Sequence, residues 1–136
     1  MRCVDRYSVG IPALGEEHNR VFERFVCVKQ AMAKGSDWND IHLAVASLIK
    51  SFEFCAALEE ALMRIHDYPG REHHEQEHAD LLQSLHALEK ANLTTGLTQK
   101  MIGSTFASTM KHHLTQDRRC ARYLPQPTER AHAARQ

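Results

Sequence analysis

Residues 48–62, Leu-Ile-Lys-Ser-Phe-Glu-Phe-Cys-Ala-Ala-Leu-Glu-Glu-Ala-Leu, decide the fold. Within them Leu48, Phe52, Cys55, Glu59 and Leu62 recur by steps of four, three, four and three. That period is the seam of an α-helix packed in a bundle. The seam carries a carboxylate where an apolar side chain belongs. Beyond the turn Asp67-Tyr68-Pro69-Gly70, His74 and His78 stand four apart, which puts both imidazoles on one face of the next helix.

Pro12, Gly35-Ser36, the turn at 67–70, residues 92–96 and the pair Pro125 and Pro127 punctuate the chain into four segments of helical period. The first spans about residues 14–34, with Leu14, His18, Val21, Phe22, Phe25 and Val26 on one stripe. The second spans about 37–66, with Asp37 or Ser36 as its N-cap. The third, about 71–91, faces inward with His74, His78, Leu81, Leu82, Leu85 and Leu88. The fourth, about 95–123, does so with Leu97, Met101, Thr105, Thr109 and His112. Short connections between long amphipathic helices predict an all-α, antiparallel up-down-up-down four-helix bundle over residues 1–123. The polar stretch 124–136 is expected to be a loose tail.

Composition narrows the function classes. Seventeen basic residues balance seventeen acidic ones, so nothing draws the chain toward nucleic acid or an acidic membrane surface. Arg118, Arg119 and Arg122 form a basic patch too small to argue otherwise. The apolar runs fall short of the roughly 20 residues that span a bilayer, and no apolar signal segment opens the chain. A cytoplasmic location is therefore expected. Cys3, Cys27, Cys55 and Cys120 form no Cys-x-x-Cys pair, so a disulfide framework is not expected, and Cys27 and Cys120 read as small buried hydrophobes.

The ten histidines carry the chemistry. His18, Glu59, His74, His78 and His112 fall on or beside stripes that otherwise bury Leu and Phe. A lone histidine there would be an ordinary core residue, but several imidazoles and a carboxylate, drawn from all four helices, are costly unless a cation joins them. The heights agree. Glu59 lies ten residues before Pro69 and His78 nine after it, which matches to within about one 5 Å helical turn. Nitrogen and oxygen donors suit Fe, Mn or Zn. Asp117 follows His112 by five residues, about 140° around an ideal helix. It joins them only if the two flank the site or the helix is locally distorted; otherwise it is a solvated charge beside Arg118. His42, His66, His73, His86, His113 and His132 read as solvated, with His73 and His113 weighed as groups behind the ligands.

These residues resemble the hemerythrin family of non-haem di-iron bundles, including the bacteriohemerythrins. The opening 9–18, Val-Gly-Ile-Pro-Ala-Leu-Gly-Glu-Glu-His, is similar to the family's "VGI..ID.QH". Residues 55–63, Cys-Ala-Ala-Leu-Glu-Glu-Ala-Leu-Met, look like "HF..EE.LM". Tyr68-Pro69 with His74 and His78 matches "YP....H...H", and His112 with Asp117 matches "HI...D". The resemblance covers about residues 7–120. It implies two iron ions, one held by His74, His78 and His112, the other by His18, with Glu59 and Asp117 bridging them. It also implies binding of O2 in an apolar pocket.

The departures cluster at the second iron. Cys55 stands where the family has that iron's other histidine, and Ala56 where it has Phe. Ser108 and Thr109 replace a Trp-Leu pair of the pocket wall, to which Leu62 also belongs. Gly15 and Glu17 replace an Asp and a Gln, and Cys3 an aromatic. Cys55 has three readings: a neutral thiol leaving an open position, a gap filled by Glu60 or Glu17, or a thiolate ligand to the metal, which is the expectation adopted because adjacent cations lower a thiol's pKa. Ser108 and Thr109 imply a more polar pocket. Three functions follow: O2 binding or storage, a peroxide- or nitric-oxide-directed redox activity, and a redox sensor read by a protein partner.

Overall fold

The computed structural model describes residues 12–91 and 96–124. Cys3, residues 9–11 of the opening motif, the side chain of Leu97, His132 and residues 125–136 lie outside the described residues. Every described element is helical: α1 (Pro12–Ala33), α2 (Trp38–Ile65), α3 (Arg71–Lys90), α4 (Gly96–His112), a π-helical turn (His113–Asp117) and α5 (Arg118–Tyr123). Consecutive helices pack on one another and α1 also packs on α4, which makes a helical bundle.

The ends follow from local chemistry. Asp37 caps α2, its Oδ1 accepting from the Asp40 amide at 2.9 Å. Gly35 ends α1 at φ 66°, with its amide bonded to Met32 and that of Ser36 to Ala31. This is the paired closure that a left-handed residue gives a helix C-terminus. Asp67 does the same for α2 at φ 50°, with Asp67 N donating to Arg64 O and Tyr68 N to Met63 O.

The core is a ladder of Leu14, Val21, Phe25, Val28, Ile41, Val45, Leu48, Phe52, Leu81, Leu85, Leu88 and Ile102. Phe106 meets Phe22 and Phe25 edge to face, joining α4 to α1. Met63, Cys120 and Leu124 form a smaller cluster at the other end. The polar site lies between these two apolar regions.

Several expectations are corrected. Val26 is 45% exposed and Val28 takes its place inside, because Val28 lies seven residues, about two turns, from Val21, whereas Val26 lies five, about 140° around the helix. Cys27, its neighbour on the outer face, is exposed too, whereas Cys120 is buried as expected. Leu124, assigned to the tail, is buried against Met63 and Cys120. His42 is half-buried and ties α2 to α3, with Nδ1 at 3.0 Å from Trp38 O and Nε2 at 3.1 Å from Glu89 O. Finally, α2 is by length and mean hydropathy apolar enough to cross a bilayer, contrary to the sequence reading. In this fold the same apolar face packs on α1 and α3 and carries Glu59 into the core.

The fourth helix does not run straight. Five residues from His113 to Asp117 widen into a π turn before α5 resumes. Thr115 Oγ1 donates to the Lys111 carbonyl at 2.7 Å, occupying an acceptor of the distorted ladder. The turn is the local distortion that brings residues five apart onto one face.

Asp67 sits in a conformation that glycine adopts without steric cost. Asp67→Gly is therefore expected to stabilise the fold by about 0.5–1 kcal/mol, raising the midpoint of thermal unfolding; an unchanged or lower midpoint counts against this account of the turn.

Candidate metal centre

Helices α1 to α4 and the π turn all contribute to one buried polar cluster. His18 comes from α1, Glu59 from α2, and His74 and His78 from α3. His112 ends α4, and His113 and Asp117 bound the π turn. All seven are buried, Glu59 and His74 completely. The seam period of α2 places Glu59 one turn beyond Cys55, facing the pair that the four-residue step of α3 sets side by side.

Five donors converge first. His74, His78, His112, Glu59 and Asp117 each offer one atom, and these atoms lie within 4.8 Å of one another. Asp117 Oδ1 is 2.9 Å from both His74 Nε2 and His112 Nε2. Glu59 Oε1 is 2.5 Å from His74 Nε2 and 3.0 Å from His78 Nε2, yet no contact of Oε1 has hydrogen-bond geometry. His112 Nε2 and His74 Nε2 face each other at 3.1 Å. Two imidazole nitrogens in that position repel unless a proton or a cation lies between them. Donors at right angles about 2.1 Å from one ion stand about 3 Å apart, so these separations are compatible with a metal-binding group.

Carboxylates stand behind two of the rings, and one of them is hydrogen-bonded to its histidine. His78 Nδ1 is 3.2 Å from Glu60 Oε1, and His112 Nδ1 is 3.6 Å from Glu77 Oε2. Such partners fix ring orientation behind a metal. Glu60 therefore backs His78 rather than filling a gap at Cys55, and Glu17 pairs with Arg20 at 3.4 Å.

The other oxygens of the two carboxylates turn the opposite way. Glu59 Oε2 is 3.2 Å from His18 Nε2. Asp117 Oδ2 is 3.4 Å from His18 Nε2 and 3.0 Å from His113 Nδ1. His18, His113 and Asp117 form a second group of donors within 4.8 Å. Each carboxylate thus divides its oxygens between two sets of imidazoles.

Of the residues singled out from sequence, His18, Glu59, His74, His78, His112 and Asp117 come together. Cys55 is buried beside them but belongs to neither donor group. His113 was missed. It is 1% exposed, not solvated. Its spacing from Asp117, four residues, was the signal available.

A cavity of about 20 Å³ abuts the second group, lined by Val21, Phe22, Phe52, Cys55, Ala56 and Thr109 together with histidines of both groups and Asp117. That is room for one water-sized molecule. The pocket differs from the sequence reading. Ser108 is exposed, pointing off the bundle seam, and does not line it; neither does Leu62. Thr109 lines it, but its hydroxyl donates to Thr105 O at 2.8 Å and is already engaged. Ala56 is the one half-buried residue in a wall of buried ones.

The buried charges of the cluster offset one another. Burial and the Asp117 charge push the Glu59 carboxyl up, but the surrounding His18, His74 and His78 outweigh them and bring it to about 2. Burial likewise opposes ionisation of Asp117, and His112, His113 and His74 hold it well below the usual range. Burial lowers the His74 imidazole, and Asp117 and Glu59 then raise it to about 9. The Cys55 thiol is pushed up, chiefly by burial, against the pull of His18. Protons here occupy places that a cation can take.

No family profile, no curated protein and no solved structure matches the chain.

Metal-free protein should have a narrow stability optimum. The raised His74 contributes fully below its ordinary 6.5, and that contribution drains as pH rises through about 9. The lowered Glu59 contributes above its ordinary 4.5 and is lost as pH falls toward about 2. The overlap puts the highest melting temperature of chelator-treated protein between pH 4.5 and 6.5. A divalent transition metal competes with the imidazole protons, so its stabilising effect should grow with pH. Melting curves from pH 3 to 9, with and without metal, check both; stabilisation by metal that weakens as pH rises would contradict the site.

Proposed function

We propose that this chain is a non-haem di-iron protein of the hemerythrin type, an antiparallel up-down-up-down four-helix bundle that binds O2 or a related small ligand for oxygen binding, storage or sensing. The reading rests on one observation: Glu59 and Asp117 each split their oxygens between two imidazole sets, beside a cavity of about 20 Å³. Two carboxylates placed in this way suit a pair of bridged cations. The donor set is mixed nitrogen and oxygen, which fits iron by ligand type.

In this reading His74, His78 and His112 would hold one iron and His18 the second, with Glu59 and Asp117 shared between them. Iron there supplies reversible electron exchange with a small oxidant. The chain's own contribution is orientation and exclusion. Glu60 orients the ring of His78, and Glu77 places a carboxylate 3.6 Å from His112 Nδ1. Val21, Phe22 and Phe52 keep the ligand site apolar, and Thr109 spends its hydroxyl on its own helix. The apolar side chains and the engaged Thr109 hydroxyl support O2 binding over turnover. The alternative, a peroxide- or nitric-oxide-directed centre or a redox sensor, draws support from the Cys55 thiol in the cavity wall.

Anaerobic loading with ferrous iron should give two irons per chain. O2 should then produce an optical spectrum that bleaches under vacuum and returns on re-exposure. Consumption of peroxide or nitric oxide without a reversible oxy spectrum would favour the alternative, and absence of bound iron would remove both.

Ala56 is the half-buried residue of the cavity wall. Ala56→Phe is expected to slow ligand entry and exit about tenfold or more, read by stopped-flow mixing and flash or vacuum release. Rates that stay the same would place the path elsewhere.

A further inference from the structure

We propose that the second metal of the pair is held by His113 together with His18, Glu59 and Asp117, and that Cys55 stands outside its ligand set. This rests on the two-metal reading above and concerns which side chains complete the second half of it. The ion would be a first-row divalent transition metal, by the same donor chemistry.

Geometry supports it in three ways. First, the donor edges repeat. His113 Nδ1 lies 3.0 Å from Asp117 Oδ2, and His18 Nε2 lies 3.2 Å from Glu59 Oε2 and 3.4 Å from Asp117 Oδ2. In the first group the corresponding edges are 2.9 Å from Asp117 Oδ1 to His74 and to His112, and 3.0 Å from Glu59 Oε1 to His78. Both sets match donors about 2.1 Å from a common centre.

Second, the rings pack alike. His18 and His113 have centroids 4.4 Å apart and planes at 69°. In the first group, His74 and His78 stand at 4.6 Å and 71°, and His74 and His112 at 4.6 Å and 85°. Imidazoles that share an ion approach edge to face in this way, because each must aim its lone pair at one point.

Third, the widened turn serves both sets. His112 and His113 are consecutive, yet one belongs to the first donor group and the other to the second. Asp117 closes the turn and supplies an oxygen to each. The distortion thus brings one carboxylate within reach of two adjacent histidines.

The rival is that His113 only orients Asp117 by a hydrogen bond. Loss of such a partner lowers metal affinity by about 10–100-fold, whereas loss of a ligand should lower it further and leave the first site intact.

Anaerobic titration with cobalt(II), followed by metal analysis and the optical spectrum, separates the cases. Wild type should take up two equivalents without a thiolate-to-cobalt charge-transfer band, and Cys55→Ser should do the same. His113→Gln should keep one tight equivalent and weaken the second by more than 100-fold. Because a core substitution can disturb folding, a gain of signal complements it. His113→Cys combined with Cys55→Ser should acquire the thiolate-to-cobalt band that wild type lacks. A wild-type band abolished by Cys55→Ser, or a second equivalent weakened less than 100-fold by His113→Gln, overturns the assignment while leaving two metals in place. Uptake of no more than one equivalent by wild type overturns the two-metal reading and this assignment together.

Discussion

Two carboxylates buried at the centre of a helical bundle set the terms for everything around them. An unpaired ion in such a place costs several kcal/mol, and Glu59 and Asp117 are 0% and 3% exposed. Five imidazoles answer that charge, and they can do so only if four helices deliver them to one height. The apolar ladder on one side and the Met63–Cys120–Leu124 cluster on the other hold the helices in that register. The bundle's packing is thus inseparable from its polar centre. Shifting any helix by one residue would strand a charge as well as open a void.

The widened turn at His113–Asp117 belongs to the same constraint. A regular helix would carry Asp117 about 140° away from His112. The π turn gives up regular hydrogen bonding over five residues and gains a carboxylate oxygen 2.9 Å from His112 Nε2. Thr115, through its hydroxyl, recovers one carbonyl. Irregularity of this kind in a helix commonly accompanies a functional site, and here the reason is visible in which atoms it brings together.

Much of this was legible from spacing. The four-three repeat of α2 exposed Glu59 as a charge on a buried seam, and the four-residue step from His74 to His78 supplied its partners. Helix limits followed from Gly35, Asp37 and Pro69, because caps and turns are local chemistry. What could not be read were rotations of a residue about the helix axis and the fate of single hydroxyls. Ser108 and Thr109 are adjacent and similar, but one points to solvent and the other donates to its own backbone. Val26 and Val28 exchanged places for the same reason. His113 looked solvated because phase was counted on an ideal helix, and the turn that buries it is not ideal.

The size of the cavity has a consequence for electron flow. Space for one water-sized molecule, behind a wall in which only Ala56 is half-buried, admits a diatomic but no organic reductant. A redox-active ion at the centre would be reached by small oxidants through direct contact and by bulky donors only across the width of a helix. Oxidation and re-reduction would therefore run at very different speeds, and the resting valence of the centre would be set by access as much as by potential.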